Sequence, residues 1–283
     1  PTSGHSQPPV LASIIWQLVQ QGTEYDARKA RELFPKLMAY HRWFCAARDP
    51  QQTGVIGIIH PWESGRDNCP DWDIGMNNIV VPENLESYTR RDTTHIDSEQ
   101  RPTQEQYDRF ITIVKFGREC GWNQQQIHAN GPFLMADPGV QFIFLRASRD
   151  LLAMARHLGM DKAIDEIEAW VARVELGSDW LWNDAVDGYC ARDIRTGTFS
   201  DAITNASALC FYAGVGTPEQ NQLMEAHCRR ILDASSYGMP SWDPEHPAFE
   251  SQRYWRGPVW AIMNHMIIIG LEDTGHHDLA QRV

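Results

Sequence analysis

Between His60 and Asp73 the chain runs His-Pro-Trp-Glu-Ser-Gly-Arg-Asp-Asn-Cys-Pro-Asp-Trp-Asp, two indoles and four carboxylates around one arginine and one glycine. Pro61 and Pro70 break helical hydrogen bonding and Gly65 permits a tight turn, so the stretch is neither a regular helix nor a strand. This mixture of residue types suits sugar chemistry. Indole faces cover the apolar C–H faces of pyranose rings, and carboxylates take hydroxyls or the glycosidic oxygen. The plainer alternative is an acidic turn whose Asp caps the next helix while the tryptophans fill the core. The density of both types in one run favours the chemical reading. Asp71 and Asp73 lack the spacing of a calcium loop, and His60, His128 and His265 lack metal spacing, so neither a metal nor a cofactor is expected.

The totals narrow the partner. The chain has 283 residues, of which 42% are hydrophobic and 11 are Trp, enough for a large core, and its formal net charge is −12. That charge and the lack of any Lys/Arg cluster argue against a nucleic-acid binder, and no nucleic-acid partner is expected. A small, neutral or partly polar ligand fits better, and an anionic one would have to be held by a few local arginines against the overall field. No run approaches about 18 apolar residues, so no membrane partner is expected. The six cysteines (Cys45, Cys69, Cys120, Cys190, Cys210, Cys228) form no Cys-x-x-Cys pair, and three of them fall in helical patterns, the usage of a reduced, cytoplasmic chain. Asn205-Ala206-Ser207 has the form of a glycosylation triplet but falls in an apparent helix. The opening Pro1-Thr2-Ser3-Gly4 carries no signal peptide and reads as mid-domain. Oligomeric state is not legible.

The elements that must position the run are almost all helices. Val10, Leu11, Ile14, Ile15, Leu18 and Val19 keep helical spacing up to Gly22. A second helix is expected over about 26–47, with Ala30, Leu33, Phe34, Leu37, Met38 and His41 on its inner face. The active loop then extends over about 60–103, and a structureless stretch of that length is usually functional. Helices are expected again over about 104–119, 138–158 (ended by Gly159), 161–182, 201–213, 217–233 and 260–271, with another beginning near His277. Residues 188–198 alternate like a short hairpin. Helices in pairs with long, individual loops and no fixed repeat point to an all-α ring of helical hairpins, an (α/α)6 toroid, rather than a repeat array. Twelve helices would close such a ring; eight and the start of a ninth are visible, so 1–283 reads as one catalytic domain incomplete at both ends.

Several strings add a resemblance: Ser6-Gln7-Pro8-Pro9, His41-Arg42-Trp43, Trp62-Glu63-Ser64-Gly65-Arg66-Asp67-Asn68, Gln100-Arg101-Pro102 with Tyr107-Asp108-Arg109, and Tyr254-Trp255-Arg256-Gly257-Pro258-Val259-Trp260. Together they resemble glycoside hydrolase family 63, most closely its bacterial mannosylglycerate and glucosylglycerate hydrolases, and trehalases share a related Glu-Ser-Gly-x-Asp element. The resemblance covers nearly the whole chain. It implies an inverting glycosidase on an (α/α)6 barrel, hydrolysing the α-glycosidic bond of a small glycoside to free sugar and glycerate. By that resemblance Asp67 is the general acid. An Asp among indoles and other carboxylates is desolvated and repelled, and both raise its pKa.

The resemblance also assigns Gln7, Trp62 and Gly65 to sugar contacts, Tyr254, Trp255 and Trp260 to an aromatic floor and rim, and Arg101 with Tyr107 to the glycerate carboxylate. A guanidinium binds a carboxylate bidentately, which a trehalase would not need. Glu63 touches substrate or orients Asp67. Inversion requires a second carboxylate ~6.5–9.5 Å away to activate water. In the relatives this is a Glu beyond the Tyr-Trp-Arg-Gly-Pro segment, which would place it after Val283; Glu272 and Asp273 read as solvated helix-end charges. The alternatives are a trehalase or another α-glucosidase, and a sugar-binding protein without catalysis. For Arg101 the plainer reading is a pair with Glu99 or Glu105; for Tyr107, core packing.

Overall fold

The computed structural model describes residues 4–283. Among the described residues eleven α-helices account for most of the regular structure: α1 Leu11–Gln21, α2 Glu24–Arg48, α3 Asp73–Met76, α4 Gln104–Glu119, α5 Gln124–Asn130, α6 Pro138–Leu158, α7 Ile164–Ser178, α8 Leu209–Ala213, α9 Pro218–Asp233, α10 Ala261–Asp273 and α11 His277–Ala280. Their starts are chemically marked. Thr23 with Asp26, Thr103 with Gln106 and Thr217 with Gln220 form capping boxes at α2, α4 and α9. Asp137 caps α6, whose first residue is Pro138, and Gly159 ends it in the left-handed conformation.

Helix α6 is the centre of the molecule. Sixteen of its residues are buried: the stretch 138–145 is enclosed all round, and beyond it only the stripe of Arg146, Arg149, Ala153, Arg156 and His157 reaches toward solvent. It packs against α7, α1, α8 and α2. Helix α8 in turn lies against α10, where Gly270 lets the backbones meet: a Cβ there would stand 2.2 Å from the Tyr212 nitrogen. The long helix α2 buries Ala30, Phe34, Leu37, Met38, His41 and Phe44, close to the expected face, but Leu33 is exposed.

Four expectations are corrected. The first helix carries two apolar stripes, and only the one with Ala12, Ser13 and Val19 is buried; Leu11, Ile14 and Leu18 face outward. The helix expected over 161–182 is α7 flanked by one 3-10 turn at each end. The helix expected over 201–213 shrinks to α8, because the Thr204 and Ser207 hydroxyls bond backbone N–H groups of 204–207 and hold a turn there. Asn205 therefore lies in that turn, fully buried, and cannot present a glycan. The hairpin is also rearranged. Gly188–Tyr189 (β4) pairs back onto Trp182–Asn183 (β3), while Arg192–Asp193 (β5) joins Gly57–Ile58 (β1) and Met135–Ala136 (β2) in a small antiparallel sheet ordered β1-β2-β5. That sheet sits at the entry to the His60–Asp73 run and fixes where it starts.

Candidate active site

The run folds as two one-turn 3-10 segments, Pro61–Ser64 and Pro70–Trp72, followed by α3. Gly65 closes the first in the left-handed region at φ 72°. His60 opens it: its Nδ1 accepts the Trp62 N–H at 3.0 Å, so its proton sits on Nε2 and goes to the Phe110 carbonyl at 3.1 Å. Beyond the turn, Arg66 is locked at both ends. Its N–H donates to the Ser64 hydroxyl, its carbonyl accepts from the Trp72 indole, and its buried guanidinium reaches Asp71 at 2.9 Å and Asp137 at 2.7 Å. Asp71 also accepts from Ser200 at 2.7 Å. Arg66 and Asn68 are both buried on either side of Asp67, and Asp67 lines the open side.

What it faces is a cavity of about 480 Å³ lined by Gln7, Trp62, Gly65, Asp67, Asp92, Arg101, Pro102, Tyr107, Phe110 and Tyr254. The size fits a ligand of one or two rings. Gln7 donates from Nε2 to the Trp62 carbonyl at 2.9 Å and so holds that wall. Opposite, the loop bearing Arg101 is stapled to the loop bearing Tyr254: the Tyr254 N–H donates to the Gln100 carbonyl and Arg253 Nε to the Arg101 carbonyl. The Arg101 guanidinium thereby lies over the Tyr254 ring, 3.8 Å from its centroid. Arg90 lies similarly over Tyr107 at 4.6 Å.

The two cations share one carboxylate. Asp92 is held by Arg90 through two nitrogens, at 3.1 and 2.6 Å, and reaches Arg101 only through a 3.4 Å contact to Nε. Among the described residues no carboxylate or carbonyl accepts from the terminal nitrogens of Arg101, so the cluster presents an uncompensated positive charge to the cavity. The plainer pairing of Arg101 with Glu99 or Glu105 does not occur: Glu105 pairs with Arg109 instead.

Burial pushes the Asp67 carboxyl up to about 6, against the pull of the Tyr254 hydroxyl, which donates to it at 3.3 Å, and of the Arg101 charge. The direction is the expected one, but half of the expected cause is absent. Desolvation raises the pKa without repulsion from neighbouring carboxylates, because Asp71 is consumed by Arg66 and Asp73 by Arg256 at 2.6 Å. Asp92 moves the other way: although burial raises it, the hydrogen bond and charge of Arg90 win and hold it below the usual range. The Tyr254 phenol is raised by burial and then by Asp67.

Not every expected contact reaches the cavity. Glu63 is fully buried behind it, bound by Arg48 at 2.5 and 3.1 Å, by the Ser6 amide and hydroxyl and by the Ile59 N–H. With every lone pair occupied it has none left for a sugar, and it fixes the turn that carries Asp67. Trp255 and Trp260 stack on each other at 4.2 Å behind Tyr254, which receives the Trp260 indole at its carbonyl. They support the floor without lining it. Glu272 pairs with His277 and Asp273 with Arg146, both at the surface. Arg90 and Asp92 were not anticipated. Their loop carries little periodicity, and the Arg-x-Asp spacing was the one available signal.

A family model for the mannosylglycerate hydrolase MGH1-like glycoside hydrolase domain matches residues 1–283. A mannosylglycerate hydrolase of Thermus thermophilus is 41% identical over all of this chain and 68% of its own length. The mannosylglycerate hydrolase MGH1 of Selaginella moellendorffii is 39% identical over all of this chain and 58% of its own. The chain thus spans 58% to 68% of the length of these two curated relatives. A crystal structure of the family 63 mannosylglycerate hydrolase from Thermus thermophilus, in complex with Tris and D-glycerate, superimposes with a TM-score of 0.94 at 40% identity, over 99% of this chain and 68% of that one. At the level of fold alone, a neutral trehalase of Saccharomyces cerevisiae matches with a TM-score of 0.59 at 13% identity, over 96% of this chain and 53% of that one.

Proposed function

The chain belongs to the mannosylglycerate hydrolase MGH1-like glycoside hydrolase family, and from that premise we propose that its cavity binds and cleaves an α-glycoside of glycerate. The observation that supports the substrate class is the pair of arginines sharing one carboxylate beside Asp67. An overall acidic protein keeps such a charge in a cavity where an anion is to be seated, and the planar Arg101 fork suits a carboxylate. A related structure described as holding D-glycerate supports the same reading.

In this reading the sugar lies against Trp62 with Gln7 and Gly65 at its edge, and the glycerate carboxylate sits on Arg101 with Tyr107 beside it. Asp67, its pKa raised by burial, in its protonated form gives that proton to the glycosidic oxygen as the bond to the anomeric carbon breaks, while a water takes that carbon from the opposite face and releases its own proton to base. The aglycone departs as glycerate with a neutral hydroxyl. Asp92, the other carboxylate of the cavity, is too firmly held by Arg90 to deprotonate water. Asp67 is thus the acid of the proposed reaction, and Asp92 is not proposed as its base.

Hydrolysis of mannosylglycerate, glucosylglycerate and trehalose, with free sugar quantified, tests the assignment. Turnover of a glycerate conjugate that is abolished in Asp67→Asn while ligand binding survives is the expected result. Turnover of trehalose at comparable efficiency would remove the glycerate reading. Binding of the conjugates without turnover would make the protein a sugar binder.

A further inference from the structure

Tyr254 stands between the two halves of the cavity. Its hydroxyl touches Asp67 at 3.3 Å, a long contact for two oxygens, and its ring carries the Arg101 guanidinium at 3.8 Å. The acid and the cation thus both touch one residue, Asp67 at its hydroxyl and Arg101 at its ring face, in a partly buried site where screening is weaker than in bulk water. Resting on the glycerate reading above, we propose that Arg101 is a substrate-operated control on the general acid: a carboxylate seated on it recruits a proton from solvent to Asp67, so an anionic aglycone arms the acid and a neutral one does not.

The argument is one of charge balance. Asp67 meets Arg101 and Tyr254 on one side, Tyr107 of α4 and Asp92 on the other, and Asp73 and Arg109 across a void of about 10 Å³ beneath. Asp73 is neutralised by Arg256, Arg109 by Glu105 and Asp92 by Arg90. Two cations on one carboxylate leave the Arg90–Asp92–Arg101 cluster one positive charge in excess, and Arg101, tied to Asp92 only by the 3.4 Å contact, is its loosely matched member facing Asp67. In the empty cavity it favours the carboxylate form of Asp67, which is the form that cannot protonate a leaving group. An anion on Arg101 cancels that bias and adds its own negative charge nearby. Both effects favour the protonated form. At neutral pH an acid titrating near 6 is protonated in roughly one molecule in ten, so a rise of a single unit multiplies the active fraction about five-fold. The geometry therefore builds discrimination between anionic and neutral glycosides into the chemical step as well as into binding.

The coupling is reciprocal, so it is measurable without turnover. D-glycerate is titrated calorimetrically into the protein at about pH 6.5, in two buffers of different ionisation enthalpy, and proton uptake is read from the difference. A one-unit rise centred there takes up about half a proton per glycerate bound. Asp67→Asn is expected to bind glycerate with uptake reduced to near zero. Binding with no proton uptake in the unmodified protein overturns the coupling while leaving Arg101 as a carboxylate clamp. Uptake that persists in Asp67→Asn overturns it too, since the proton would be going elsewhere. If glycerate does not bind at all, the clamp fails, and the substrate reading and the coupling fall together.

Discussion

At the residue scale the site divides into groups that face ligand and groups that hold them. Tyr254 does both, and its removal has a signed consequence. Its hydroxyl stabilises ionised Asp67, so Tyr254→Phe should let the Asp67 pKa rise. If Asp67 is the acid as proposed, it works only when protonated, so activity is expected to fall as pH rises through that value, and the alkaline limb of the kcat profile should move to higher pH in the variant. A limb that moves to lower pH would mean the hydroxyl supports the protonated form. Glu63 illustrates the second kind of group. Both members of the Arg48–Glu63 pair have fully buried side chains, so deleting either strands a charge. Arg48→Met should cost about 3–5 kcal/mol in urea unfolding, the usual consequence of breaking a buried pair. Ligand affinity of the folded fraction should stay near that of the parent, since neither side chain lines the cavity.

At the scale of elements, Asp137 joins the fold to the site. It caps the central helix α6 through the Gly139 and Val140 N–H groups and is also a counter-ion of Arg66, the residue that sets the direction of Asp67. Asp137→Ala removes both roles and should cost more than the ~1 kcal/mol of an ordinary cap, while Asp137→Asn keeps an acceptor for the helix and should cost less. Equal losses in denaturant melts would show that the cap is irrelevant and only the charge matters. Much of this layer was legible beforehand because its signals are local. The helices expected over about 104–119 and 138–158 and the stop at Gly159 fall where the structure places them, and Thr103 with Gln106 and Asp137 before Pro138, not read in the sequence, cap their starts. What was not legible is non-local. Tyr254 meets Asp67 across 187 residues of sequence, and Met135–Ala136 pairs with both Gly57–Ile58 and Arg192–Asp193 through two-residue strands too short to alternate. The Trp255 and Trp260 indoles were expected in the cavity because residue type was visible and side-chain direction was not.

At the scale of the molecule, burial sets two opposed pH dependences. His41 is held neutral by burial with its pKa lowered to about 4, and His60 is driven well below its ordinary value by the same cause. The unfolded chain takes up their protons first, so stability is present above about pH 6.5 and falls as pH drops through the folded values, by ~3 kcal/mol for His41. Asp67 acts in the reverse sense. Its folded value of about 6 exceeds the ordinary 3.8, so the folded state binds its proton more tightly, and stability declines as pH rises from about 4 to about 6. Above that window the ionised acid costs at most about 3 kcal/mol, already net of the help from Tyr254 and Arg101. Asn has the shape of the carboxylate without its charge. Asp67→Asn should therefore melt higher than the parent at neutral pH, by a margin that shrinks to nothing as both are acidified below about pH 4. The difference between the two proteins isolates Asp67, because the histidines are common to both and cancel. A margin that stays constant with pH would mean that packing, and not ionisation, separates them. An inactive variant more stable than its parent only where the acid is ionised would show that the cavity holds Asp67 at the expense of the fold.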